Sequence, residues 1–198
     1  MLLVDHQIRH LCLRTGANPE PMIEPFAEAT SGGGIISYGL THAGYDLRLG
    51  LTVYCMKSTF GEVLDPKRFK DPAYAASVMD RREYQPGDRV IIPANGYLLG
   101  HSLEYLRIPR HLKGRCTGKS SLARCAVSIN TTPVEPAWKG HLTIEIANDG
   151  PLPVAVYAGE GIAQLEFELL AAHCETDYAE KGGQYQGQTG VTMARVRE

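Results

Sequence analysis

Short runs of alternating apolar and polar residues, separated by turns, dominate the chain from residue 35 onward. The clearest run is residues 141–147, where three large aliphatic residues alternate with Thr143, Glu145 and Ala147. Successive side chains of an extended strand lie on opposite faces. The pattern therefore predicts a strand in which Glu145 projects from the face opposite the aliphatic residues.

Other segments have the same character and are bounded by turn sequences such as Pro-Gly-Asp and Asn-Asp-Gly-Pro. Many short strands at this spacing predict a sandwich or a barrel. We therefore expect a mainly β protein. The predicted strands are residues 35–38, 45–53, 89–92, 97–105, 114–117, 126–129, 141–147, 154–157 and 161–169.

The N-terminal segment departs from the β pattern. Residues 1–16 predict a short amphipathic helix that Asp5 caps and Gly16 ends, with Ile8 and Cys12 on one side. We expect this helix to pack against the body of the protein or a neighbouring subunit.

Three further segments lack the strand pattern. Residues 17–34 are rich in proline and glycine and predict irregular chain, and residues 65–79 predict a short helix or a long loop. Residues 181–190 contain four glycines and three glutamines around one tyrosine, which is too little apolar surface for independent order. Such a tail is either disordered or a glycine-hinged lid.

Composition limits the class of protein. A chain of 198 residues is long enough for one well-buried domain. The formal charge of −2 disfavours a dedicated surface for nucleic acid or anionic membrane. The five cysteines are scattered without C-x-x-C spacing, as is typical of reduced thiols. No segment resembles a signal peptide or a membrane span. We expect one domain over residues 1–198, soluble and cytoplasmic, with no nucleic-acid or membrane partner.

The sequence Gly-Lys-Ser-Ser at residues 118–121 predicts a polar turn. Lys119 offers a cation, the serines offer donors, and the guanidinium of Arg124 suits an oxyanion or a triphosphate. A P-loop is disfavoured because only three residues separate Gly114 from Gly118, whereas that motif requires four. Taken alone, such a turn is most often simply polar, and Glu145 most often belongs to a solvated face.

Several ordered motifs together carry a resemblance. Residues 118–148 read GKSSLARCAVSINTTPVEPAWKGHLTIEIAN, and they are followed by EGIAQL at residues 160–165 and GGQYQGQ at residues 182–188. With Ser-Tyr-Gly at residues 37–39 and Gly-Tyr-Asp-Leu-Arg at residues 44–48, they resemble the dCTP deaminases of the dUTPase superfamily. The resemblance runs from about residue 22 to nearly the last residue.

The resemblance implies a fold and an assembly. The fold is the distorted β-barrel or jelly-roll of the dUTPase-like type, with the helix of residues 1–16 and a flexible C-terminal lid over residues 175–198. The assembly is a homotrimer with active sites at subunit interfaces.

The resemblance also implies hydrolytic deamination of dCTP to dUTP and ammonia, which supplies dUTP for dUMP and dTTP synthesis. Zinc deaminases hold their metal with His and Cys ligands that include a C-x-x-C pair, and this chain lacks that pair. In the resembled family the reaction is zinc-independent, and the glutamate at the position of Glu145 is the general base. Mg²⁺ is expected only with the substrate triphosphate, no metal is expected on the protein, and dTTP is a candidate inhibitor.

Carried over by position, Ser120 and Arg124 join Glu145 as catalytic residues that hold the water, the developing charge or the leaving amine. Gln184 stands before Tyr185, where the family usually has lysine. The loss of that cation is expected to weaken triphosphate binding or alter lid closure. The substrate-binding positions are Lys119, Ser120, Ser121, Leu122, Ala123, Arg124, Glu135, Thr143, Ile144, Gln164, Tyr178, Gln184 and Gln188.

Alternative functions remain open on the same fold. The chain could be a dUTP diphosphatase, or a bifunctional enzyme that deaminates dCTP and then cleaves dUTP to dUMP. It could deaminate a 5-modified nucleotide such as 5-methyl-dCTP. A nucleotide sensor without turnover is the remaining alternative. Release of pyrophosphate, of ammonia, or of neither distinguishes these functions.

Overall fold

A computed structural model describes residues 1–13, 20–57 and 63–196. Within these ranges the helices are α1 (Asp5–Cys12), α2 (Pro72–Val78) and α3 (Ser120–Ala123), with a 3-10 turn at Pro66–Arg68. The strands are β1 (Ile23–Glu24), β2 (Gly39–Thr41), β3 (Gly44–Arg48), β4 (Thr52–Met56), β5 (Met79–Glu83), β6 (Arg89–Ile92), β7 (Tyr97–Arg107), β8 (Leu112–Gly118), β9 (Val127–Asn130), β10 (Lys139–Asn148), β11 (Val154–Tyr157) and β12 (Gly161–Leu169).

The described strands form three antiparallel sheets. The largest has the order β5-β4-β7-β10-β9, and β1 pairs with the far end of β7. A second sheet has the order β2-β3-β12-β8, and β11 pairs with β6 in a third. In the largest sheet β10 is central, because it pairs with β7 on one side and β9 on the other.

The main hydrophobic core lies between the sheets. The fully buried residues include Tyr45 and Leu47 of β3, Ile144 and Ile146 of β10, and Phe167 of β12. Strands with one buried face show alternating burial, and β10 has this pattern along its whole length. The mainly β architecture that the sequence predicted is therefore confirmed.

A buried ion pair connects two of the sheets. The Glu104 side chain on β7 is completely buried, and its Oε1 accepts a hydrogen bond from Nε of Arg48 on β3 over 2.6 Å. Its second oxygen accepts the main-chain N–H of Arg48. Burial raises the pKa of Glu104 in spite of these donors. A charge buried this deeply needs its partner, so the pair fixes β3 against β7.

Three of the predicted strands, residues 89–92, 154–157 and 161–169, coincide with β6, β11 and β12. The prediction for residues 35–38 is wrong, because the first strand of that region begins at Gly39. The predicted strand 45–53 is two strands, because the chain leaves one sheet after Arg48 and enters another at Thr52.

Other predicted elements need correction. The N-terminal helix is confirmed, but Val4 is its N-cap and Asp5 lies in its first turn; the predicted end at Gly16 lies outside the described residues. Residues 118–121 are not a simple turn, because α3 begins at Ser120. The charged strand β5 was not predicted at all. No helix in the described part of the chain has the length and apolar character needed to cross a membrane.

Candidate active site

Glu145 lies in the middle of β10, on the face that points away from the main core. Ile144 and Ile146 beside it are 0% exposed, whereas Glu145 is half-buried on the other face, as the alternation predicts. It lies opposite Leu99 of β7 and Asn130 of β9. A strand therefore flanks this carboxylate on each side.

The carboxyl group of Glu145 is poorly solvated. Its Oε2 atom is buried and has no hydrogen-bond partner among the described residues. Burial raises the pKa of Glu145 to about 7, and a hydrogen bond to its own main chain only partly opposes this. Burial, and after it the charge of Glu145, raise the pKa of the neighbouring Tyr97 to about 12. A carboxyl group with a pKa near neutrality is suited to accept and return a proton.

A cavity of about 850 Å³ lies over Glu145, a size typical of small-molecule sites. Its polar lining comes from the β9–β10 connection, from β10 and from the C-terminal tail, which we define as residues 175–196. Most of its apolar lining comes from β4, β5, β7 and residues 64–69, and Pro133, Val134, Leu142 and Ala194 add apolar side chains beside the polar ones. The polar residues include Glu135, Thr143, Tyr178, Tyr185 and Gln188, and the apolar ones Met56, Leu64, Phe69, Met79 and Leu99.

The tail is attached beside the cavity through aromatic residues. The indole of Trp138 donates a hydrogen bond to the Tyr185 carbonyl over 2.9 Å, and the Tyr178 hydroxyl accepts the main-chain N–H of Tyr185 over 3.1 Å. Gly183 packs directly on the Tyr178 ring, since a Cβ atom there would lie 2.0 Å from it. The glycine is therefore required for this close approach.

The tail also runs along β10. The Gln188 amide donates to the His141 carbonyl over 2.6 Å, and Thr143 Oγ1 accepts the main-chain N–H of Thr192 over 3.1 Å. The Gln188 side chain is buried, yet within the described part of the chain nothing donates a hydrogen bond to its Oε1 atom. The cavity is thus lined by two buried acceptors without donors, Gln188 Oε1 and Glu145 Oε2.

Lys119, predicted to offer its cation to a phosphate, is engaged within the protein. Its side chain is 9% exposed and forms an ion pair with the buried carboxylate of Asp46, and its ammonium lies 3.3 Å from Ser37 Oγ. Gln164 lies on β12 next to this pair, in register with Asp46 and Thr117. The pair joins the end of β8 to β3 and fixes the start of α3.

Helix α3 presents the remaining catalytic candidates on the surface. Ser120 and Arg124 are exposed, and the guanidinium of Arg124 donates to the Ser120 carbonyl over 2.9 Å. Leu122 is buried in the core and anchors the helix, whereas Ser121 and Ala123 are exposed. None of these residues is among the described residues that line the Glu145 cavity.

The sequence matches a known protein family over most of its length. A sequence profile of the family described as dCTP deaminase-like matches residues 2–170. The chain belongs to this family. It is 44% identical over 195 residues to a dCTP deaminase of Granulibacter bethesdensis, and the alignment covers 98% of this chain and 99% of the relative. It is 46% identical over 192 residues to a dCTP deaminase of Chloroflexus aurantiacus, covering 97% of this chain and 96% of the relative.

A solved structure agrees on the fold of the dCTP deaminase-like family. The crystal structure of 2′-deoxycytidine 5′-triphosphate deaminase from Agrobacterium tumefaciens superposes with a TM-score of 0.58 at 20% sequence identity. The superposition covers 85% of this chain and 47% of that chain, so the present chain spans about half of it. The two proteins therefore share their fold over most of the present chain.

The structure divides the predicted site residues of this family member into two groups. Glu135, Thr143, Glu145, Tyr178 and Gln188 line one cavity. The side chain of Ile144 is buried on the opposite face of β10, so only its main chain can contribute there. The second group lies away from the cavity lining: Lys119, Ser120, Ser121, Leu122, Ala123, Arg124, Gln164 and Gln184.

The predictions omitted the apolar wall of the cavity. Leu99 and Tyr97 alternate with core residues on β7, so a strand-face analysis of residues 97–105 would have placed them beside Glu145. Met56, Phe69 and Met79 carry no comparable signal, because they come from segments with no clear period. Within the described ranges, no group of three or more His, Cys, Asp or Glu side chains is arranged to hold a metal ion.

Proposed function

We propose that this protein catalyses the hydrolytic deamination of dCTP to dUTP and ammonia, and so supplies dUTP for dUMP and dTTP synthesis. The observation that carries the proposal is the half-buried Glu145, whose pKa of about 7 and unpartnered Oε2 atom suit a general base in a nucleotide-sized cavity. The relatives named dCTP deaminase, which align over nearly the whole chain, support the choice of substrate.

In the proposed reaction, Glu145 accepts a proton from a water molecule as the water oxygen bonds to C4 of the cytosine. Glu145 then returns the proton to the ring nitrogen beside C4. The remaining proton of the C4 hydroxyl passes to the exocyclic amine, the bond between C4 and that amine breaks, and ammonia leaves as the C4 carbonyl forms. A base with a pKa near the working pH combines a deprotonated resting form with sufficient basicity. This route needs no zinc-bound water.

The polar lining of the cavity suits the rest of the nucleotide. The Gln188 Oε1 acceptor and the Thr143 hydroxyl can bind donors of the base or sugar, and Glu135 can bind the deoxyribose hydroxyl. Tyr178, which also lines the cavity, can contact the sugar or the triphosphate. Mg²⁺ enters as part of the substrate, bound to the triphosphate oxygens.

A second copy of the chain would complete the site. Glu145 needs a partner to stabilise charge on the reacting ring, yet Ser120 and Arg124 are exposed on α3 of the same chain. Residues exposed on one subunit can serve the site of the next in a closed ring. We therefore propose a homotrimer in which α3 of one subunit faces the Glu145 cavity of its neighbour. The tail would act as a lid that excludes water, with dTTP as a candidate inhibitor.

The direct test is incubation of the chelator-treated protein with dCTP and Mg²⁺ while ammonia, pyrophosphate and nucleotide products are followed together. The proposal predicts ammonia and dUTP in equal amounts, without pyrophosphate. Ammonia accompanied by dUMP and pyrophosphate would indicate a bifunctional enzyme. Absence of ammonia, with nucleotide binding retained, would contradict the proposal and favour a nucleotide sensor.

A further inference from the structure

The cavity over Glu145 is chemically divided along the sheet. Toward the β9–β10 connection and residues 178–188 its lining carries polar and aromatic side chains, and toward β4 and β5 it is apolar apart from Tyr97 of β7. We define the apolar end by its side chains, Met56, Leu64, Phe69, Met79 and Leu99. Met79 and Leu99 belong to a second hydrophobic cluster, separate from the main core, which Phe69 and the tail residues Val191 and Met193 also join.

Strand register places the apolar end directly beside the reacting carboxylate. Leu99 is the β7 residue opposite Glu145. Tyr54 of β4 lies opposite Leu99, and farther along β4 Met56 lies opposite Met79 of β5. An apolar surface thus extends sideways from Glu145 across β7, β4 and β5.

The chemistry of the nucleotide decides which part of it faces that surface. The triphosphate and deoxyribose carry charges and hydroxyl groups, so they belong at the polar end. On the cytosine ring, the C5–C6 edge is the one without a hydrogen-bonding atom, and C5 is bonded directly to C4. When C4 lies at Glu145, C5 therefore points to the wall that contains Leu99.

We propose that the apolar end binds a small alkyl substituent on C5 of the pyrimidine, so that 5-methyl-dCTP is a substrate of this site. The proposal rests on the proposed deamination and extends its range of substrates. The step balances as the simpler reaction does: the water oxygen bonds to C4, one water proton goes to the ring nitrogen and the other to the exocyclic amine, the bond from C4 to that amine breaks, and ammonia leaves. The product is 5-methyl-dUTP, which is dTTP.

Binding measures the effect without turnover. Burial of one methyl-sized apolar group is expected to lower the dissociation constant about fourfold. We would compare dCTP with 5-methyl-dCTP by calorimetry on the Glu145→Gln variant. A dissociation constant for 5-methyl-dCTP about fourfold lower supports the proposal, and one that is equal or higher overturns it.

Turnover gives an independent readout on the unmodified protein. The proposal predicts a kcat/KM for 5-methyl-dCTP equal to or above that for dCTP. It also predicts a lower kcat/KM for 5-hydroxymethyl-dCTP than for 5-methyl-dCTP, because its hydroxyl would meet apolar side chains without a partner. Rapid deamination of dCTP with tenfold slower deamination of 5-methyl-dCTP would overturn the proposal. If neither nucleotide releases ammonia, the proposed deamination fails, and the ratio of dissociation constants still decides whether the apolar end binds the methyl group.

Filling the apolar end should remove the effect. Leu99→Phe is expected to lower kcat/KM for 5-methyl-dCTP at least tenfold relative to dCTP. Leu103→Phe is the matched control, because Leu103 is a half-buried residue of the same strand outside the cavity lining. If Leu99→Phe fails to fold, Met56→Phe tests the same space at a residue that is 36% exposed. An unchanged ratio in a folded filling variant would contradict the assignment of the apolar end.

Discussion

The main-chain N–H of Gly190 donates a hydrogen bond to Nδ1 of His141 over 3.3 Å, and His141 lies on the same strand as Glu145. Nδ1 can accept this bond only when it carries no proton. Burial, together with the neighbouring His101, lowers the pKa of His141 below its ordinary value of 6.5. This hydrogen bond between the tail and β10 therefore requires neutral His141.

We expect the tail to detach as the pH falls through the pKa of His141. A histidine whose pKa is lower with the tail attached than with the tail detached favours the attached tail at high pH. This stabilisation is lost when the histidine protonates. Trp138 is the single tryptophan of the chain, and its indole bonds to the tail carbonyl of Tyr185. Its emission should shift to longer wavelength once the pH has fallen below the ordinary histidine value of 6.5 and through the lowered pKa of His141. His141→Asn should remove the shift, because asparagine offers an acceptor that does not titrate, while His173→Asn should retain it. If the Trp138 emission shifts with pH in His141→Asn as it does in His173→Asn, this account is contradicted.

Removal of the chain from Lys181 onward should impair activity much more than folding. The tail supplies Tyr185, Gln188 and Thr192 to the cavity lining but few residues to the main core. We expect kcat/KM to fall by about 100-fold or more, since an open site admits water and loses substrate contacts. The free energy of unfolding should fall by less than about 2 kcal/mol, the scale of two partly buried apolar side chains. Loss of cooperative thermal unfolding in the truncated protein would show that the tail is part of the core structure.

Mixed oligomers test whether the site is shared between subunits. Arg124→Ala and Glu145→Gln should each be inactive alone. In a trimer assembled at random from equal amounts of both, about a quarter of the interfaces combine an intact Glu145 with an intact Arg124, and about a quarter of the activity should return. The check is the ammonia release of the co-expressed pair, with each variant alone as control. Activity no greater than that of the separate variants would place both residues in one chain's site.

Glu145 should reduce stability at alkaline pH. Burial raises its pKa from the ordinary 4.5 to about 7, so its contribution to stability is complete below pH 4.5 and is lost as the pH rises through 7. Glu145→Gln should therefore be more stable than the unmodified protein by about 1–2 kcal/mol at pH 8, after allowance for solvent screening, and equal to it near pH 4.5. Chemical denaturation at both pH values measures this difference, and Glu175→Gln at an exposed position is the control. A variant that is destabilised at pH 8 would show that the charge of Glu145 is compensated in the folded protein.

The sequence was most informative where one face of a strand is buried. In β10 the alternation predicted which face carries Glu145, because the large aliphatic side chains must enter the core. The limits of β6, β11 and β12 were predictable for the same reason. By contrast, β5 has the sequence Met-Asp-Arg-Arg-Glu and lies at the edge of its sheet, where charged side chains stay in solvent and leave no apolar period.

The site was less predictable, because its partners are distant in the chain. The ion pair of Lys119 with Asp46 joins residues 73 positions apart, and no local pattern indicates that it withdraws Lys119 from the surface. Likewise, residues 45–53 look like one apolar strand. The main-chain N–H of Gly50, however, donates to the His101 carbonyl, and the chain passes there from one sheet to another. Such features depend on tertiary pairing, which strand periodicity does not encode. The roles assigned to Ser120 and Arg124 stay predictions.

The central claim is that Glu145 is the general base, and Glu145→Gln tests it most directly. We would measure ammonia release from dCTP and the dissociation constant of dCTP for this variant and the unmodified protein. The amide preserves the shape of the side chain but cannot accept the proton, so kcat should fall by about 100-fold to 10,000-fold. The dissociation constant should change less than about threefold, because the amide has the size and shape of the carboxyl group and keeps one acceptor oxygen. Full deamination activity in this variant would contradict the account and remove Glu145 from the mechanism.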